Sequence, residues 1–141
     1  MRFREKSLAY ALLRIAVGVN FAGHGLVRLY IGLGHFANST AEHLSKSPLP
    51  HGFVLGFLYI VPIVEAVVGV ALVLGMLTRS ALVGSALLMI ALTIGVTSNQ
   101  EWNVAGQQLL YSFVLFVLLF FWEHNEISVD RLMRWRGRLR G

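Results

Sequence analysis

Four apolar runs dominate this chain, roughly Leu8 to Tyr30, Phe53 to Leu74, Arg79 to Thr97 and Val104 to Trp122. A helix needs about 20 residues to cross the ~30 Å hydrocarbon core of a bilayer, and each run comes close to that length or exceeds it. Inside lipid every backbone N–H and C=O has to be bonded within the segment, so a continuous apolar run of this kind is read as a helix. The runs take up most of the 141 residues, of which 56% are hydrophobic and only 13% charged. The expected fold is therefore all-α: an integral membrane four-helix antiparallel bundle, with no room for a soluble catalytic domain. Residues 1–126 are expected to form the transmembrane domain, and residues 127–141 a basic amphipathic tail.

The sequence contains no cysteine. That excludes disulfides, thiolate metal sites, iron–sulfur clusters and c-type haem attachment, so any redox chemistry has to come from a bound group or a partner. The basic start of the first run is reminiscent of a signal peptide. Arg14 interrupts the run, however, and polar residues continue to Arg28, so it reads as a retained helix. Arg2, Arg4 and Lys6 precede the first run, Arg79 stands between the second and third, and Arg131, Arg134, Arg136, Arg138 and Arg140 follow the fourth. The connections on the other side offer Lys46, with Arg28 near the rim. This asymmetry predicts both termini in the cytoplasm and a multi-pass protein of the bacterial inner membrane. The net charge of +5 belongs mostly to the tail, where Val129, Leu132, Met133, Trp135 and Leu139 interleave with the arginines. Such a tail lies on anionic headgroups, which makes membrane lipid rather than nucleic acid its partner. In the first outer loop "STAE", Ser39 to Glu42, fits a capping box and predicts a short interfacial helix over the outer mouth.

Within the first run Arg14, Asn20, His24 and Arg28 fall inside an arc of about 120°, a polar stripe on an otherwise apolar helix. An unpaired charge at such a depth costs about 2.5–3.5 kcal/mol, so the stripe is expected to face the bundle interior, water or a partner. Glu65 of the second run and Gln107, Gln108 and Tyr111 of the fourth reach the same outer layer as Asn20 and His24. The candidate site places Glu65 and His24 as proton-handling catalytic groups, with Asn20, Arg28, Gln107, Gln108 and Tyr111 binding the ligand. The same residues have structural roles open to them: Glu65 with Arg28 or His24 as a buried pair setting helix register, and the glutamines and Tyr111 as interhelical hydrogen-bonding groups. Pro62 is expected to kink the second helix and open space beside Glu65. The Gly-, Ala- and Ser-rich third run suits close backbone packing. Arg14, near the inner end, reads as a snorkelling or inter-subunit residue. A bis-histidine haem is not expected, because His124 lies at the opposite end from His24, nor is a metal, because nothing brings His35, His43 and His51 together.

In order along the chain these residues resemble those of the DoxX/DoxD-like membrane proteins: Arg14 and Gly18, the His24–Gly25 pair, Arg28, Pro62 with Glu65, "LGMLTR" from Leu74 to Arg79, and a closing "SVD" from Ser128 to Asp130. Members of that family are similar to the membrane subunit of a thiosulfate:quinone oxidoreductase or are associated with redox and thiol-stress systems. The resemblance implies a quinone-interacting membrane subunit of a redox oxidoreductase system, sulfur- or thiol-linked or respiratory, with quinone as the cofactor. Two function classes follow. In one, an apolar slot holds the quinone while polar side chains meet its carbonyls. In the other, the chain is a non-catalytic anchor or assembly factor whose polar layer holds the bundle together. A redox partner subunit or further copies of the chain are the protein partners expected.

Overall fold

The computed structural model describes residues 3–45 and 47–138. Arg2, Lys46, Leu139 and Arg140, named above, lie outside the described residues. The described chain is helical, with helices α1 (Phe3–Ile31), α2 (Leu33–His43), α3 (His51–Leu74), α4 (Thr78–Ser98), α5 (Trp102–Phe120) and α6 (Val129–Arg138), and a 3₁₀ turn at Trp122–His124. Four of these, α1, α3, α4 and α5, are long and apolar enough to span a bilayer, so this is a multi-pass membrane protein. Large apolar side chains such as Leu12, Leu26, Ile90, Phe113 and Phe116 stay exposed on the outside of the bundle, as a lipid solvent allows.

Helix α1 packs along α3, α3 contacts α4, and α4 packs along α5, whereas α1 and α5 meet only sparsely. A core of Val17, Phe21, Val61, Leu72, Leu82, Leu115 and Leu118 joins the four spans. The tightest glycine-mediated backbone approach lies between α1 and α3. A Cβ at Gly69 would stand 2.7 Å from Ala22 Cα and 2.8 Å from Gly18 O, and one at Gly25 would stand 2.6 Å from Pro62 O. In α4 the glycines have room: a Cβ at Gly95 would meet nothing within 4 Å. The contact depends on small residues facing each other on both helices, a property no single span displays. Helix α3 is continuous across the buried Pro62.

The short α2 covers one end of the bundle, burying Ala37 and Ala41 against Val54 and Leu58 of α3. The interfacial helix is present but the capping box is not. α2 begins at Leu33, and Ser39 sits in mid-helix with its hydroxyl donating to Phe36 O at 3.2 Å. What separates α1 from α2 is Gly32, whose φ of +107° is open to glycine and strained for other residues.

At the opposite end α6 is tied to the bundle. Arg14, 2% exposed, donates from Nη1 to Asn125 Oδ1 at 2.6 Å and from Nη2 to Ile127 O at 3.0 Å. Asn125 Nδ2 in turn donates to Thr78 Oγ1 at 2.9 Å. The Asp130 carboxylate accepts from the backbone N–H groups of Leu77 (2.7 Å) and Thr78 (2.8 Å), and its own N–H donates to Gly75 O at 3.0 Å. Asp130 thus meets backbone donors that the start of α4 cannot satisfy itself, and places negative charge at that helix's positive end. Arg14 neither snorkels nor waits for another subunit, because the chain that follows α5 folds back to meet it.

Candidate functional site

Arg28 comes from the last turn of α1 and Glu65 from the middle of α3, and the two side chains form a hydrogen-bonded ion pair, Nη1 to Oε2. Glu65 is buried, whereas the Arg28 side chain is partly exposed. Phe36 of α2 lies over the guanidinium, with Cζ 4.6 Å from the ring centroid, so three helices converge on one cation. Of the two partners the sequence offers Glu65, Arg28 is the one that bonds it.

Around this pair lies a cavity of about 160 Å³. Its wall takes Asn20, His24 and Arg28 from α1, Glu65 from α3, and Gln107, Gln108 and Tyr111 from α5, with Phe21, Met89, Leu92 and Val104 between them. The structure therefore brings all the candidate residues to one space. They are not equally enclosed: His24 and Gln107 are exposed at the seam where α1 and α5 diverge. The expected stripe divides, because Arg14 is engaged at the α6 end while His24 stands at the open edge of the cavity. Nor do the α5 polar groups bridge helices. Among the described residues the side chains of Gln107 and Tyr111, like those of Asn20 and His24, make no hydrogen bond, and the buried Gln108 Oε1 accepts none.

A second, larger space of about 400 Å³ adjoins the first under α2. Its wall is mainly apolar, with Phe36, Leu49, Phe53, Phe57 and Val61 on one side and Leu92, Ile94 and Val104 on the other. Arg28 and Gln108 line both spaces, so the apolar chamber ends on the polar one. At the rim His43 Nε2 lies 2.9 Å from Glu101 Oε1, and Asn99 Nδ2 donates to His43 O at 3.3 Å, which fastens α2 to the α4–α5 connection. Phe36, Asn99 and Glu101 carry no mark in the sequence, and His43 stands out there only as one of three loop histidines weighed for a metal. Their roles depend on where α2 lies, and the only signal was an aromatic and a histidine in a segment already expected to cover the mouth.

The model of one protein family, described as methylamine utilisation protein MauE, matches residues 6–108. The chain belongs to the MauE family. This overturns the DoxX/DoxD-like resemblance, and the structure explains why that resemblance was misleading. Gly18 and Gly25 let α1 approach α3, Arg28 pairs with Glu65, and the segments around Gly75 and Asp130 bind each other. These are packing and latching duties that a membrane bundle of another family needs as much. The MauE match includes the Arg28–Glu65 pair, Asn20, His24, Gln107 and Gln108, and stops short of Tyr111 and the Asn125–Asp130 latch. No curated protein and no solved structure matches the chain.

Proposed function

We propose that this MauE-family protein is a membrane accessory protein of methylamine utilisation, and that its adjoining cavities hold a quinone-like lipophile. The observation that carries the reading is the unpartnered polar lining: Asn20, His24, Gln107 and Tyr111 without side-chain hydrogen bonds, and Gln108 Oε1 buried without a donor. Leaving a buried polar atom such as Gln108 Oε1 unmet costs about 1–3 kcal/mol, which a ligand or ordered water would recover. A molecule with an apolar body and a carbonyl edge fits the division of the space, its body in the ~400 Å³ chamber and its edge among the polar groups. Tyr111 and the glutamine amides are donors for carbonyl oxygens, and Gln108 Oε1 is an acceptor for a hydroxyl of the reduced form. A quinone would supply two-electron redox chemistry, which a chain without cysteine cannot supply from its own side chains. Glu65, held by Arg28, is the group in the wall suited to taking up or releasing a proton. The family description supports the accessory role, and the arginines at the α6 end support a cytoplasmic location for both termini.

The alternative, an anchor or assembly factor without ligand, draws on the Arg28–Glu65 pair, which is already complete within the chain. Purification from native membranes in mild detergent, followed by quinone extraction and mass spectrometry, separates the two. The ligand reading expects quinone to co-purify and to be depleted in a Gln108→Leu, Tyr111→Phe double variant that stays folded. Quinone-free wild-type protein that retains a partner protein decides for the anchor.

A further inference from the structure

Helices α1 and α5 leave a second opening between them, at the α6 end. A cleft of about 290 Å³ runs there with an apolar wall that includes Leu13, Val117, Leu118 and Phe121, and with Lys6, Tyr10 and His124 as its polar lining. It shares no residue with the cavities under α2. Tyr10 is 6% exposed, yet its buried hydroxyl has no hydrogen-bond partner among the described residues. Lys6 is exposed and forms no ion pair among the described residues.

We propose that this cleft binds one anionic phospholipid of the leaflet at the α6 end, with an acyl chain between α1 and α5 and the phosphate at Lys6 and Tyr10. A cleft that opens along the side of a membrane bundle is filled from the bilayer, which sets the occupant as lipid. The polar groups select among lipids. The ammonium of Lys6 is a point charge suited to phosphate, and the Tyr10 hydroxyl is an unused donor. Lys6 lies within the first turn of α1 and Tyr10 one turn further in, so the polar groups stand near headgroup level and the apolar wall below them. Two further basic side chains stand at this end of the bundle. Arg4 precedes Lys6 in the same turn, and Arg79 lies over Trp122 of the 3₁₀ turn, with Cζ 5.8 Å from the ring centroid. Two acids stand near the cleft, Glu5 beside Lys6 in the first turn of α1 and the largely exposed Glu123, 3.8 Å from His124 Nε2, and among the described residues Lys6 is ion-paired with neither.

The test uses the full chain in detergent and in nanodiscs, with phosphatidylglycerol against phosphatidylcholine as probes, and reads retained lipid by native mass spectrometry together with the melting temperature. Phosphatidylglycerol is expected to remain bound and to raise the melting temperature, while phosphatidylcholine does neither. Lys6→Gln, on an exposed side chain, should leave the fold intact and weaken phosphatidylglycerol retention about fivefold. Ala9→Trp, at an exposed position of the cleft wall, should fill the groove and abolish retention of the bound lipid. Equal retention of the two lipids, or phosphatidylglycerol retention unchanged in Lys6→Gln, overturns the proposal. Protection by inorganic phosphate equal to that by phosphatidylglycerol overturns it as well, because it shows an anion site without a chain site.

Discussion

Substitution of Glu65 separates a working site from a structural pair. Glu65 is 4% exposed and the Arg28 side chain 27%. Glu65→Gln keeps the shape and an oxygen for Arg28 Nη1 while removing the charge. Glu65→Leu removes the acceptor too. An uncompensated arginine at the centre of a membrane helix costs about 2.5–3.5 kcal/mol on insertion scales. Arg28 is in the last turn of α1, so its side chain is able to swing toward the interface, and Phe36 keeps an attraction of about 0.5–2 kcal/mol. The expected loss of stability is therefore about 1–2 kcal/mol for Glu65→Gln, rising to about 3 kcal/mol for Glu65→Leu, where the guanidinium also loses its hydrogen bond. Unfolding titrations in mixed micelles measure that loss, and quinone content and quinone-dependent turnover are read on the same preparations. A proton-handling Glu65 predicts that the glutamine variant stays inserted and folded but loses turnover. A structural pair predicts lowered stability in both variants with activity per folded molecule unchanged. Wild-type turnover in a normally stable Glu65→Gln protein refutes the catalytic reading.

Asn125→Ala removes a charge-assisted bond from Arg14 and a neutral one to Thr78, and should cost about 3 kcal/mol, read as a lowered unfolding midpoint. A loss below about 1 kcal/mol would show that water replaces the latch at little cost. Gly69→Val drives a side chain into the backbone of Ala22 and Gly18 and should cost about 3 kcal/mol or more, with part of the folded yield lost. An unchanged unfolding midpoint would mean that α1 and α3 separate there without penalty.

The spans could be read from the sequence because bilayer thickness and the need to bond every backbone group act on each segment by itself. Depth could be read too, since a rise of about 1.5 Å per residue puts Asn20, His24, Glu65 and Gln108 in one layer before any contact is known. Their gathering around a single cavity follows from that shared depth together with the antiparallel order of α1, α3 and α5.

Partner choice was a different matter. Arg14 looked like a residue of the polar stripe, yet its acceptor Asn125 lies 111 positions away, and only the return of the chain after α5 brings the two together. The start of α2 was misplaced because "STAE" satisfies a local capping pattern, whereas the actual boundary is set by the positive φ of Gly32. The three polar residues of α5 carried the composition of interhelical hydrogen-bonding groups, and whether they bridge helices depends on the spacing of α1 from α5. Sequence by itself determined a membrane bundle with a polar layer, because hydrophobic length and depth are properties of single helices. Tertiary structure alone decided which partner holds Glu65, which small residues touch, and that polar groups face a space rather than each other, because those outcomes depend on distances between helices that no one helix encodes.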